Sequence, residues 1–140
     1  MYSKPIQIRM SDLDPFSHVN NGAQCNFFDC GRSGYFEAVF KKRIDWNEMN
    51  FVLVHTEFDF RAPILFYDEL VCESSVYEIG TKSVKMIQRL KDSVSGAVKT
   101  ECRSVLACID RAKNMAVPVS DEHRRMFIEF EGAALCAGKL

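Results

Sequence analysis

Between Phe51 and Asp110 the chain consists almost entirely of strand-length runs cut by reversals, and this stretch restricts the fold more than any other. Phe51 to Phe60 sets Val52, Val54, Thr56, Phe58 and Phe60 against His55, Glu57 and Asp59, an alternation that buries one face of a sheet. Arg61-Ala62-Pro63 ends the run, because proline has no N–H to give to a ladder. Tyr67-Asp68-Glu69 leads into a second run from Leu70 to Glu78, and Gly80-Thr81 reverses the chain into a third, Lys82 to Lys91. Asp92-Ser93-Val94-Ser95-Gly96 is a hairpin loop, and Ala97 to Asp110 is the last long strand, with Lys99, Glu101 and Arg103 alternating against Val98, Thr100, Cys102 and Ser104. Short turns between successive strands require antiparallel neighbours.

Upstream, Ile6-Gln7-Ile8-Arg9-Met10 alternates and predicts one more strand. It runs into Asp12-Leu13-Asp14-Pro15-Phe16-Ser17-His18-Val19-Asn20-Asn21, which gathers two carboxylates, an imidazole and two amides into one loop. Asn21 is placed to cap a helix that runs to about Phe40, with Gln24 three residues on to complete a capping box. On a period of about 3.6 residues, Ala23, Phe27, Cys30, Gly31, Gly34, Tyr35 and Ala38 share one face, while Asp29, Arg32, Ser33 and Phe36 fall elsewhere. Glycine inside a helix costs up to about 1 kcal/mol relative to alanine. Two of them on one stripe therefore predict a flat partner, such as a sheet, in close approach.

Ile44 to Asn50 reads as a connection. Beyond Arg111-Ala112-Lys113-Asn114 and Ala116-Val117-Pro118, Ser120 is an N-cap for a helix through about Glu131. Asp121 and Glu122 stand at the positive end of its dipole, and Met126, Phe127 and Phe130 can cover apolar surface. Gly132 to Leu140 reads as a loose tail. The order of elements predicts an α+β fold in which the long helix packs on one curved antiparallel sheet.

With 140 residues, 47% hydrophobic and 26% charged, the chain is sized for a single domain, residues 1–140. A net charge of −1, with Lys41, Lys42 and Arg43 as the only basic cluster, argues against nucleic acid as a partner. No run approaches the roughly 20 apolar residues of a membrane span, and Met1 to Pro5 is not followed by a signal-type segment, so the expected setting is cytoplasmic, with no membrane partner. The cysteines Cys25, Cys30, Cys72, Cys102, Cys108 and Cys136 are scattered through periodic segments, which predicts buried free thiols rather than disulfides. His18, His55 and His123 lie far apart and no Cys-x-x-Cys occurs, so no zinc site is expected.

The Asp12-Leu13-Asp14 and His18-Val19-Asn20-Asn21 pair, three residues apart between strand and helix, resembles the signature of hotdog-fold acyl-CoA thioesterases of the 4-hydroxybenzoyl-CoA thioesterase superfamily. Phe60-Arg61-Ala62-Pro63 followed by Tyr67-Asp68-Glu69-Leu70 is similar to that family's second recurrent pattern. The resemblance implies a hotdog fold, a curved antiparallel sheet wrapped around a long central helix. It implies hydrolysis of an acyl-CoA or acyl-carrier-protein thioester to carboxylic acid and free thiol, without metal or redox cofactor; the alternative is a non-catalytic module that binds the thioester. It places Asp14 as the carboxylate that attacks the thioester or activates water. His18 either assists at the thioester or braces the loop against Asp12 or a backbone carbonyl. Asp12 holds the turn, Asn20 and Asn21 fix the start of the helix, and Phe16, Asn20, Asn21, Gly22 and Arg61 form the substrate-binding set. Phe16 departs from the family, whose plant members carry asparagine there, and is assigned to an acyl pocket. Arg61, Lys82, Lys85 and Arg103 are the cations available to the nucleotide end, and Glu37 and Glu57 are read as surface groups. A homodimer or homotetramer with sheets joined edge to edge completes the expectation.

Overall fold

The structure, a computed structural model, describes residues 1–136. The elements are β1 (Tyr2–Pro5), a single 3-10 turn (Met10–Asp12), α1 (Asn21–Phe40), β2 (Phe51–Phe60), β3 (Leu70–Ile79), β4 (Ser83–Asp92), β5 (Val98–Asp110), β6 (Met115–Ala116), α2 (Asp121–Glu131) and α3 (Ala133–Cys136). The sheet is antiparallel throughout in the order β1-β3-β4-β5-β2, with β6 added at the end of β5.

The expected wrapping of the sheet around one long central helix is not what forms. The sheet is open, with β1 and β2 as its outer strands, and α1 lies on β1, β3 and β4 and shares the layer with α2. Dimensions explain the difference. Strands stand about 4.8 Å apart, so five strands span roughly 20 Å, whereas a helix with its side chains is about 10 Å wide. The α1 backbone approaches β1, β3 and β4, and only side chains reach the other half, through Gln24 to Thr100 on β5 and through Phe28 to Phe58 and Phe36 to Phe51 on β2, which leaves most of β2 uncovered. Accordingly, of the β2 residues only Phe51 is buried, and Val52, Leu53, Val54 and Phe60 are exposed despite the alternation that predicted a half-buried strand.

The first strand is Tyr2–Pro5 and not Ile6 to Met10. Pairing with β3 runs from Tyr2↔Ser74 to Pro5↔Val71, and after Ile6 N bonds Leu70 O the partner strand has ended, so the alternating residues beyond it have no ladder to join. Asn20, not Asn21, caps α1, its Oδ1 accepting from Gly22 N at 2.6 Å. The buried side of α1 is also wider than one stripe. Phe28, Arg32 and Phe36 are buried beside Phe27, Gly31, Gly34 and Tyr35, and Cys30 is exposed, because the sheet and α2 press on different sides of the helix.

The glycines do admit the sheet: a Cβ on Gly31 would overlap Cys72 Sγ on β3, and one on Gly34 would stand 2.5 Å from Tyr2 Oη. The core divides into an aromatic half, where Phe127 of α2 meets Phe36, Phe40 and Phe51, and a half at the start of α1 built on Phe27, Phe28, Ile64 and Leu90. Ser120 caps α2 as expected, accepting from His123 N. The supposed tail begins instead with α3, whose Leu135 is buried in the aromatic half; residues 137–140 lie outside the described residues. Cys72, Cys102 and Cys108 are buried free thiols, Cys25 and Cys30 are exposed ones, and the Cys136 side chain is outside the description.

Candidate active site

The loop ahead of α1 is built by its own backbone. Asp14 N donates to His18 O at 2.8 Å, Ser17 N to Asp14 O at 3.0 Å, and Asn20 N to Asp12 O at 2.7 Å, which closes a small hairpin around Asp14-Pro15-Phe16-Ser17. Ser17 sits at φ 62°, the left-handed conformation that lets so tight a turn close. Bridges Leu13↔Val19 and His18↔Leu65, with Val19 N bonded to Ile64 O, tie the hairpin to the segment that follows β2. Asp12 is buried under it, its carboxylate accepting from Arg9 N at 2.8 Å and from Arg9 Nη2 at 3.0 Å, so Arg9 and not His18 is the partner of Asp12.

Asp14 Oδ1 accepts from Phe16 N at 2.8 Å and from His18 N at 3.2 Å. These bonds fix the carboxylate, and Oδ2 has no protein partner among the described residues. Asp14 and His18 line an open cavity of about 260 Å³, whose other walls include Asn21 and Gln24 at the start of α1, Phe60 at the end of β2, and Arg61, Ala62 and Pro63 after it. Of the first four amides of α1, Gly22 N is taken by Asn20 Oδ1 and Gln24 N by Asn20 O, leaving those of Asn21 and Ala23 without an intrahelical acceptor at the positive end of the dipole.

The cavity thus collects Asp14, His18, Asn21 and Arg61. Asn20 and Gly22 stand behind it as the cap, and Phe16 projects away at 79% exposure. Arg61 is held at the wall by Glu101 Oε2 at 3.2 Å, in a fan that also brings Arg89 (3.0 Å) and Arg103 (3.6 Å) onto the same carboxylate. Burial alone would raise the Glu101 pKa, but the Arg89 hydrogen bond and the three positive charges outweigh it and hold the carboxyl below the usual glutamate range. Lys85 is paired with Glu78, and Glu37, read as a surface group, accepts from Ile44 N at the turn after α1.

Gln24 is the wall residue that the sequence does not announce. Its spacing matches a capping box, yet its side chain turns to the sheet, where Oε1 accepts from Thr100 Oγ1 at 2.6 Å; this leaves the amide NH₂ for the cavity. The available signal was its place three and four residues before Phe27 and Phe28, on the side of the helix that faces the sheet.

Among the described residues no helix is long and apolar enough to cross a membrane. The long-chain acyl-CoA thioesterase FadM of Escherichia coli is 25% identical over 122 residues, covering 85% of this chain and 91% of the relative. Among solved structures, a thioesterase of Thermus thermophilus complexed with coenzyme A and Zn superposes with a TM-score of 0.82 at 27% identity, covering 93% of this chain and 94% of that one. A predicted thioesterase of Bacillus stearothermophilus superposes with a TM-score of 0.84 at 21% identity over 91% and 94% of the two chains, a likeness of fold. The profile of the Thioesterase-like superfamily matches residues 8–127, from the hairpin of Asp14 to the buried Phe127, and the chain belongs to that superfamily, with its hotdog fold.

Proposed function

We propose that the protein is an acyl-CoA thioesterase that hydrolyses its substrate to a carboxylic acid and free CoA. The observation that carries this reading is the cavity that a carboxylate fixed through Oδ1, Asp14, shares with Asn21 and Gln24 at the start of α1. Thioester hydrolysis needs a base or nucleophile and a stabiliser for the oxyanion. With the thioester carbonyl directed to the amides of Asn21 and Ala23 and the Gln24 NH₂, Oδ2 lies on the carbonyl-carbon side. Oδ2 takes a proton from water as the hydroxyl adds to the carbonyl carbon, the C–S bond breaks, and the proton passes to the departing thiolate. Direct attack by Oδ2 uses the same geometry and gives an acyl anhydride that water then opens. A single turnover in ¹⁸O-labelled water separates the base route from direct attack in which water opens the anhydride at the Asp14 carbonyl, because the first puts the label into the product acid and the second leaves it in Asp14 and releases unlabelled acid. His18 stands on the cavity wall as a hydrogen-bonding partner for water or the carbonyl, and Arg61 offers its charge to the carrier's phosphates. The likeness to FadM and to a relative solved with coenzyme A supports CoA as the thiol.

The test is thiol release from aromatic and aliphatic acyl-CoAs. Asp14→Asn keeps an Oδ1 acceptor for Phe16 N and His18 N, so the hairpin persists, and the rate is expected to fall about 100-fold or more. Wild-type rates in that variant, or saturable acyl-CoA binding without turnover in the native protein, would overturn the reading. We further propose that two copies pair through β2, the apolar and uncovered edge.

A further inference from the structure

Thr100 of β5 pairs with Phe60, a wall residue of the Asp14 cavity, on one side and with Leu90 of β4 on the other. It is fully buried, and a hydroxyl so enclosed must find an acceptor for its proton. Among the described residues that acceptor is Gln24 Oε1, at 2.6 Å. The bond decides which end of the Gln24 amide points inward. With the amide turned over, its NH₂ would donate to Thr100 Oγ1, and the hydroxyl proton would be enclosed with nothing to accept it. In the observed sense every proton is placed, and only lone pairs of Oγ1 are left over. The Gln24 NH₂ is not itself enclosed. Among the described residues the enclosed side-chain atoms without a partner are Arg32 Nε, Ser104 Oγ and His123 Nδ1, and the little surface that Gln24 keeps lies on the cavity wall.

Both partners of this bond are held from outside it. Gln24 is the fourth residue of α1, and its N donates to Asn20 O at 3.2 Å. Thr100 lies in a strand paired on both sides, and a β-branched side chain is stiff about its first torsion. The last torsion of a glutamine is soft, so without the bond either end of the amide can turn to the cavity. We propose that Thr100 is a positioning residue for the hydrolysis: by donating to Gln24 Oε1 it keeps the Gln24 NH₂ directed to the thioester oxygen as that oxygen takes up negative charge. A reversed amide would set Oε1 against the same oxygen, acceptor against acceptor. Donors oriented before the reaction act most on the charge that develops in the transition state, so the bond bears on kcat more than on KM. This rests on the thioesterase reading.

The experiment measures kcat and KM for thiol release from an acyl-CoA that the native protein hydrolyses, in Thr100→Val, Thr100→Ser, Gln24→Met and the Thr100→Val, Gln24→Met double variant. Valine keeps the branched shape and loses the hydroxyl. Thr100→Val is expected to lower kcat about 10-fold, the worth of one hydrogen bond, with KM held within about twofold. Thr100→Ser returns the hydroxyl and most of the rate. Gln24→Met removes the donor itself and lowers kcat roughly 100-fold. In that background Thr100→Val costs nothing further, because no amide is left to turn. A threonine that served the fold alone would cost the same factor in both backgrounds. Thr100→Ala makes the same comparison where the valine variant does not fold. Native kcat in Thr100→Val, a loss repeated in full on Gln24→Met, or no recovery in Thr100→Ser overturns the role of Thr100, and loss of hydrolysis in Asp14→Asn beside any of these leaves the thioesterase reading intact. Absence of hydrolysis by the native protein with aromatic and aliphatic acyl-CoAs alike overturns both.

Discussion

Glu131, the last residue of α2, closes that helix onto the sheet: Oε2 accepts from Tyr35 Oη at 2.5 Å and from Val76 N at 3.2 Å, and Oε1 accepts from Ser75 Oγ at 2.7 Å. Val76 borders the register shift in β3, where the ladder is interrupted. Burial, and then the neighbouring carboxylate, push the Tyr35 pKa well above the usual phenol range, so the hydroxyl stays a donor throughout the folded range of pH. Tyr35→Phe takes one donor from a part-buried carboxylate and is expected to cost about 1–3 kcal/mol. A urea titration reads this as a lower midpoint at unchanged slope, and a midpoint equal to the native one would remove the tie. Nothing in the sequence marks Glu131 out, because a glutamate ending a helix reads as solvated and its partners Ser75 and Tyr35 are 56 and 96 residues away. The Asp12–Asn21 cluster is legible for the opposite reason: its bonds close within four residues of Asp14, so the chemistry is contiguous in the chain.

At the scale of elements, α1 and the four long strands follow the sequence closely, since each is a long periodic run bounded by proline, glycine or a cap. Which side of α1 is buried does not follow, because the helix is pressed by sheet and helix together and its apolar stripe is blurred. Within that interface Gly31 sets the helix-to-sheet distance. Gly31→Ala gains up to about 1 kcal/mol of helix propensity, yet its Cβ overlaps Cys72 Sγ and comes within 2.9 Å of Cys72 Cβ. Overpacking costs typically about 1–3 kcal/mol, so the net change is expected to be destabilising. Cys72→Ala removes the sulfur and should relieve part of the clash, making the double variant more stable than the sum of the two singles. Strict additivity in denaturant titrations would show that Gly31 is not where the layers touch. Burial pushes the Cys72 thiol up to about 12, so it acts here as a small neutral packing group.

For the whole molecule the question is what covers β2. A lone alternating run reads as a strand with one face in the core, and nothing in it says that the helix layer reaches β2 only through Phe28 on Phe58 and Phe36 on Phe51. The result is a ten-residue outer strand with Val52 at 41%, Leu53 at 39%, Val54 at 61% and Phe60 at 47% exposure, and with no proline or lysine to blunt it. Unpaired backbone groups and apolar side chains along one edge are what a second copy satisfies by antiparallel pairing, which would continue the sheet from β5 through both copies of β2. Light scattering is expected to give twice the chain mass or an even multiple of it. Val54→Lys places a charge in the pairing edge, and it should shift the protein toward monomer while leaving Asp14, at the far end of the strand, in its hairpin. The proposed pairing would seat the second copy beside Phe60 on the wall of the Asp14 cavity, so thiol release is expected to fall with dimer content and to recover as protein concentration is raised. A monomeric native protein with full thiol release would refute the proposed pairing and any part of it in the site.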